Sequence, residues 1–278
     1  AQAVKDDKKK PTIQIEDIFG GLGEQVKSVT DEQVKVLQRL IDSTSEDDPD
    51  KPDLLYRMAG LFAEQQRYYN FRARDLDQKI FVQEQKGDKR VADKLKATQA
   101  DYLKREQQWL LGAVKKYLEV ADGPKYGQYK RMDEVLFYLA YLLTEVKKED
   151  AARKYFKRLI KDFPKSKFIP DALFAFGEYF FEQKQLEDAL TFYDKVLQFP
   201  ESRVFGYAKY KKAWVYYNLG DFKGALATFV DVIEMTEKGG GSSTKQGRIA
   251  LNKEAKKDSV RAYARVGTPD KAWPFFQR

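Results

Sequence analysis

Residues 171–200 read DALFAFGEYFFEQKQLEDALTFYDKVLQFP, and their apolar positions fall into two helical registers. Leu173, Phe176, Gly177 and Phe180 share one face of a first helix, and Leu186, Ala189, Tyr193 and Val196 share one face of a second. The same spacing runs upstream through Leu136, Leu139, Ala140, Leu143, Ala152, Phe156, Leu159 and Pro164. It runs downstream through Ala213, Tyr216, Phe222, Ala225, Phe229 and Val232. The marker alanines Ala152, Ala189 and Ala225 stand 37 and 36 residues apart, and Phe163-Pro164 recurs as Phe199-Pro200. Self-similarity at such a period means one supersecondary unit stacked on copies of itself, since a single copy cannot bury its own apolar face.

The pattern is large-x-x-large-small-x-x-aromatic, then alanine, then aromatic, then proline, and it resembles the tetratricopeptide repeat. The small residue Ala140, Gly177 or Ala213 lets the two helices of a repeat approach closely. The second-helix alanine receives the neighbouring repeat. The predicted fold is therefore all-α, a right-handed α-solenoid of helix hairpins. A weaker fourth copy runs from about Glu254 through Tyr263, Gly267, Ala272 and Phe276, and residues 248–278 read as a partial repeat that continues further in the native protein. Residues 53–124 hold two breaker-poor stretches parted by Gly87-Asp88. With Leu55, Met58, Ala59 and Phe62 on the first stretch and Ala113 and Tyr117 on the second, they read as an atypical repeat with lengthened helices. The three clear repeats occupy 130–238, and a flexible Gly/Ser loop is expected at 239–247.

Ahead of the repeats, residues 1–29 read as a mobile arm. Residues 30–52 read as a short helix opened by the capping pair Thr30 and Gln33, followed by an acidic, proline-containing linker. Ala-Gln-Ala at positions 1–3, leading into a lysine-rich stretch, suggests a mature exported chain that has lost a signal peptide.

Composition narrows the chemistry. The 278 residues contain 51 Lys and Arg against 43 Asp and Glu, a net charge of +8, but the basic residues alternate with acids as on solvated helix faces. There is no cysteine and no histidine. Thiol catalysis and thiolate metal sites are excluded, and the commonest neutral-pH base and metal ligand is missing. The longest apolar run, Val135 to Leu143, is far short of the ~20 residues that span a bilayer. Gly239 to Lys245 lacks the Gly-Lys-Ser/Thr order of a phosphate loop, Gly20-Gly21-x-Gly23 lacks the dinucleotide spacing, and Glu46 to Asp50 lacks the glycine and glutamate of a calcium loop. Neither cofactor nor metal is expected, and no catalytic residue is assigned.

In this family the first helix of each repeat lines the concave side, which implies a groove containing Phe137 and Tyr141, then Phe174, Glu178, Phe181 and Glu182, then Tyr207, Tyr210, Trp214 and Tyr217. Glu134, Glu145 and Asp171 share those inward positions. Such a groove is aromatic and acidic, suited to a protein or peptide partner with Tyr210, Trp214 and Tyr217 as anchors. The competing reading is that tightly coiled repeats bury these rings as ordinary core.

The segments from Phe163 to Leu173 and Phe199 to Arg203 are similar to the bacterial cell-envelope branch of the family, which includes the Tol-Pal coordinator and the outer-membrane assembly lipoprotein. The long hairpin together with Asp133 to Tyr141 and Lys211 to Gly220 is more similar still to myxobacterial envelope repeat proteins, some of them in the gliding-motility machinery. That resemblance implies a periplasmic, non-enzymatic scaffold that binds protein partners, with no nucleic acid and no membrane span. A cytosolic regulator or nucleic-acid-associated helical protein, using Lys157-Arg158, Lys209 with Lys211-Lys212, and Lys256-Lys257, is the alternative.

Overall fold

The computed structural model describes residues 31–242 and 244–277. The arm at 1–29, the Gly20–Gly23 cluster and the capping residue Thr30 lie outside the described residues. Among those described, 79% are helical and none is in a strand. The chain divides into two compact units, the division falling between Ser166 and Lys167, inside the segment 130–238 that reads as one run of repeats in the sequence.

The described part of the first unit contains α1 (Asp31–Ser43), α2 (Lys51–Gln85), α3 (Lys89–Ala121), α4 (Met132–Glu145) and α5 (Glu149–Asp162). Lys51 is buried, and its ammonium donates to the carbonyls of Ile41 and Thr44 at 2.6 and 2.7 Å, supplementing the backbone bonds at the end of α1. The long helices α2 and α3 pair along their length: Phe62 lies 5.1 Å from Trp109, and Gly112 leaves the room that the Phe62 ring occupies. On α4, Phe137 and Leu142 are buried as well as Val135, Leu136, Leu139, Ala140 and Leu143, so this helix is covered on more than one side.

The second unit contains α6 (Ile169–Glu182), α7 (Leu186–Val196), α8 (Phe205–Leu219), α9 (Phe222–Glu237), α10 (Lys245–Val266) and α11 (Pro269–Phe276). Gly177 of α6 faces Tyr193 of α7 so closely that an added Cβ would stand 2.6 Å from the ring. Ala189, Ala213 and Ala225 are fully buried. The small residues thus sit where helices touch, which is the role their spacing predicts. Gly206, at the start of α8, admits the backbone of Gly241, whose carbonyl oxygen would lie 2.1 Å from any Cβ there.

A second repetition is written in the backbone. Helix α4 ends with Lys147 at φ 59° and a bond from Lys148 N–H to the Leu143 carbonyl. Helix α6 ends with Lys184 at φ 60° and Gln185 bonded to Phe180, and α8 ends with Gly220 at φ 85° and Asp221 bonded to Tyr216. Gly87 closes α2 and Gly239 closes α9 through the same six-to-one bond. This is the left-handed helix ending that glycine adopts freely and lysine adopts at a cost of roughly 1 kcal/mol. That two lysines accept it shows how strongly the hairpin geometry is imposed by packing.

Candidate partner-binding surface

In the first unit, the two residues expected to line a groove are Phe137 and Tyr141. Phe137 is buried, with its ring edge-on to Tyr138 at 5.4 Å and tilted against Phe156 of α5 at 6.4 Å. It is core. Tyr141 is half-buried and its hydroxyl donates to Glu145 at 3.1 Å. Glu145 also accepts from Gln66 of α2, and Glu134 accepts from Tyr56 at 2.8 Å and from Arg131 at 2.9 Å. The Arg131 guanidinium lies 4.1 Å from the centre of the Tyr56 ring. Burial and the adjacent Glu134 carboxylate push the Tyr56 hydroxyl well above the ordinary tyrosine value. The acids predicted to meet a partner here are therefore already engaged, with Tyr56 and Gln66 of α2, with Tyr141 of α4 itself and with Arg131 just before it.

In the second unit the correction is larger. Tyr210 is 0% and Trp214 2% exposed. Both side chains point at Asp258 of α10: the Tyr210 hydroxyl donates to Asp258 Oδ2 at 2.6 Å and the Trp214 indole N–H to the same oxygen at 3.1 Å. Arg261 holds the other carboxylate oxygen at 2.7 Å. Phe229 of α9 completes the cluster, 5.7 Å from Tyr210 and 6.1 Å from Trp214. Two of the three predicted anchors are thus core residues, because α10 lays a hydrogen-bonding carboxylate against their polar edges. Phe174 and Tyr207 are buried as well.

Glu178, expected to select a basic partner, is neutralised from within. Lys211 of α8 donates to it at 2.5 Å, and the two side chains are only 16% and 6% exposed. Tyr193 donates to the other Glu178 oxygen, and burial with this carboxylate raises its hydroxyl well above the ordinary value. Asp171 is buried and held by Arg203 at 2.7 Å. The basic run at 209–212 is equally occupied, with Lys209 on Asp231 and Lys212 on Asp194.

What remains accessible on the first-helix face of this unit is Phe181, half-buried under the Lys211 ammonium at 5.7 Å, the exposed Glu182, and Tyr217. Tyr217 is half-buried, edge-on to Trp214 at 5.5 Å and to Phe222 at 5.1 Å. Asp258 was missed by sequence reading. Its signal is a carboxylate within the apolar stripe Leu251, Ala255, Asp258, Ala262, all buried on one face of α10.

Among the described residues no cluster of acids and ring nitrogens could hold a metal ion, and no helix is long and apolar enough to cross a membrane. Helices α4 and α5 pair as a hairpin in the first unit, and α6 with α7 and α8 with α9 do so in the second. The tetratricopeptide-repeat family model matches residues 134–166, 171–202 and 207–234, so 134–234 carries three tetratricopeptide repeats, the class of unit that serves as a protein-interaction scaffold. A comparison with curated proteins finds none that matches the chain.

Proposed function

We propose that this chain is a non-enzymatic scaffold of the bacterial cell envelope, exported to the periplasm, which holds a peptide or partner domain on the first-helix faces of its repeats within an assembly or motility complex. The observation that carries the binding role is the three repeats at 134–234. The envelope setting is supported by the likeness of the segments from Phe163 to Leu173 and from Phe199 to Arg203 to envelope repeat proteins.

With Tyr210, Trp214 and Glu178 committed to the core, the contact within the second unit passes to Phe181, Glu182 and Tyr217, while the first unit by itself offers Tyr141. Half-buried rings suit this role, since they are already held in place and lose little rotamer freedom when a partner covers them. The experiment is photocrosslinking in the native source from position 182, with fractionation of the product. A periplasmic adduct to a defined partner, lost in Phe181→Ser/Tyr217→Ser, is expected. A cytosolic product, or an adduct indifferent to both substitutions, would overturn the proposal.

A further inference from the structure

Between Gly239 and Lys257 the sequence holds five cations and one acid, Glu254. In the structure four of those cations, Lys245, Arg248, Lys253 and Lys256, gather in a cleft of about 540 Å3 between the end of α9 and the first half of α10. Their spacings of three, five and three place them along one broad side of the helix. Lys256 is paired with Glu237 at 2.8 Å, which holds the Glu237 carboxyl below its ordinary range. Glu254 is taken by Lys257 and Glu234 by Lys238. Lys245, Arg248 and Lys253 have no acidic partner among the described residues.

On α8, by contrast, Lys209, Lys211 and Lys212 each meet a carboxylate of another helix. Two further features shape the cleft. Ile249 stands 59% exposed among the cations, an apolar side chain of a kind normally withdrawn from water. Asn252 is fixed at the floor, its amide donating to Thr236 at 2.8 Å, so the helix bearing the cations is locked to α9.

We propose that this cleft is a second docking site, separate from the first-helix faces, which takes a carboxylate-rich peptide segment of a partner protein with an apolar side chain seated on Ile249. The excess of unpaired cations supplies the charge complementarity. An acidic peptide fits better than a nucleic acid, because the exposed Ile249 stands among the cations, and a peptide can seat an apolar side chain there where a continuous phosphate backbone cannot. No ring able to stack a base lines it either.

The test uses the full chain and a fluorescent peptide alternating glutamate and leucine, read by anisotropy. Saturable binding is expected that weakens as salt rises from about 50 to about 200 mM. Arg248→Glu/Lys253→Glu should weaken it by about tenfold or more, since two contacts become repulsive. Ile249→Ser should weaken it about fivefold. Lys157→Glu/Lys161→Glu on α5, an equal change in net charge at exposed positions, should leave affinity within about twofold. The proposal is overturned if the cleft variants bind like the parent, if the α5 variant loses as much, or if a glutamine-for-glutamate peptide binds equally. It is also overturned if a single-stranded oligonucleotide displaces the peptide at lower concentration with the same dependence on Arg248 and Lys253. Each result is independent of the crosslink at position 182.

Discussion

Replacing Asp258 by alanine removes the acceptor shared by two buried donors. The Tyr210 hydroxyl and the Trp214 indole N–H both reach Asp258 Oδ2, and the two residues are 0% and 2% exposed, so water cannot take its place without opening the α8–α10 contact. Each orphaned donor costs roughly 1–3 kcal/mol. Arg261, about one-third exposed, turns to solvent at little cost. Two terms oppose the loss. Burial raises the Asp258 carboxyl above its ordinary value, so removing it relieves some desolvation, and alanine gains about 0.5 kcal/mol of helix propensity over aspartate. The donors win, and the net expectation is about 2–4 kcal/mol of destabilisation, with Asp258→Asn near 1 kcal/mol because an amide oxygen still accepts. Urea unfolding followed by circular dichroism measures it, and a double-mutant cycle with Tyr210→Phe isolates the pair. The cycle should show at least about 0.5 kcal/mol of coupling, since residues sharing a hydrogen bond are not additive. Strict additivity, or an Asp258→Ala variant as stable as the parent, would refute the claim that α10 holds these rings in the core.

Gly177→Ala should destabilise by about 1–3 kcal/mol even though alanine favours the helix by ~1 kcal/mol, because the Tyr193 ring 2.6 Å from the new Cβ is fully buried and tethered to Glu178. Its unfolding midpoint, compared with that of Gly60→Ala, where nothing lies within 4 Å, makes the test internal. Alkaline unfolding should be steep: Tyr56, Tyr193 and Tyr210 have hydroxyls raised by burial above the ordinary 10.0, so the folded chain keeps protons that the unfolded chain releases. Stability intact below pH 10.0 is then lost as pH rises, and phenolate absorbance should show these rings ionising only together with loss of helix.

The repeat was readable because its determinants are local and periodic. Gly177 and Ala189 announce close approach by size alone, and both lie where helices touch. The lysines at 147 and 184 announce nothing, since lysine carries no helix-ending signal, yet they adopt the same backbone as Gly220. The same limit governs the site. Spacing places Tyr210, Trp214 and Tyr217 on one face of α8, but it cannot say which neighbouring helix covers that face. Lys211 reads as part of a basic run, and only the position of α6 turns it into the buried partner of Glu178.

That covering helix also separates stability from binding along a single helical face. Asp258 reaches Tyr210 and Trp214, whereas Tyr217, one turn further, takes its ring contacts from Trp214 and Phe222 and keeps an edge in solvent. Truncating Trp214 removes a ring packed on Phe229 and one of the donors to a buried carboxylate, so it acts on folding. Truncating Tyr217 leaves that cluster in place and removes surface a partner can touch. Loss of binding in Trp214→Ala alone therefore cannot locate the site, while loss in Tyr217→Ser with helix content and unfolding midpoint unchanged does.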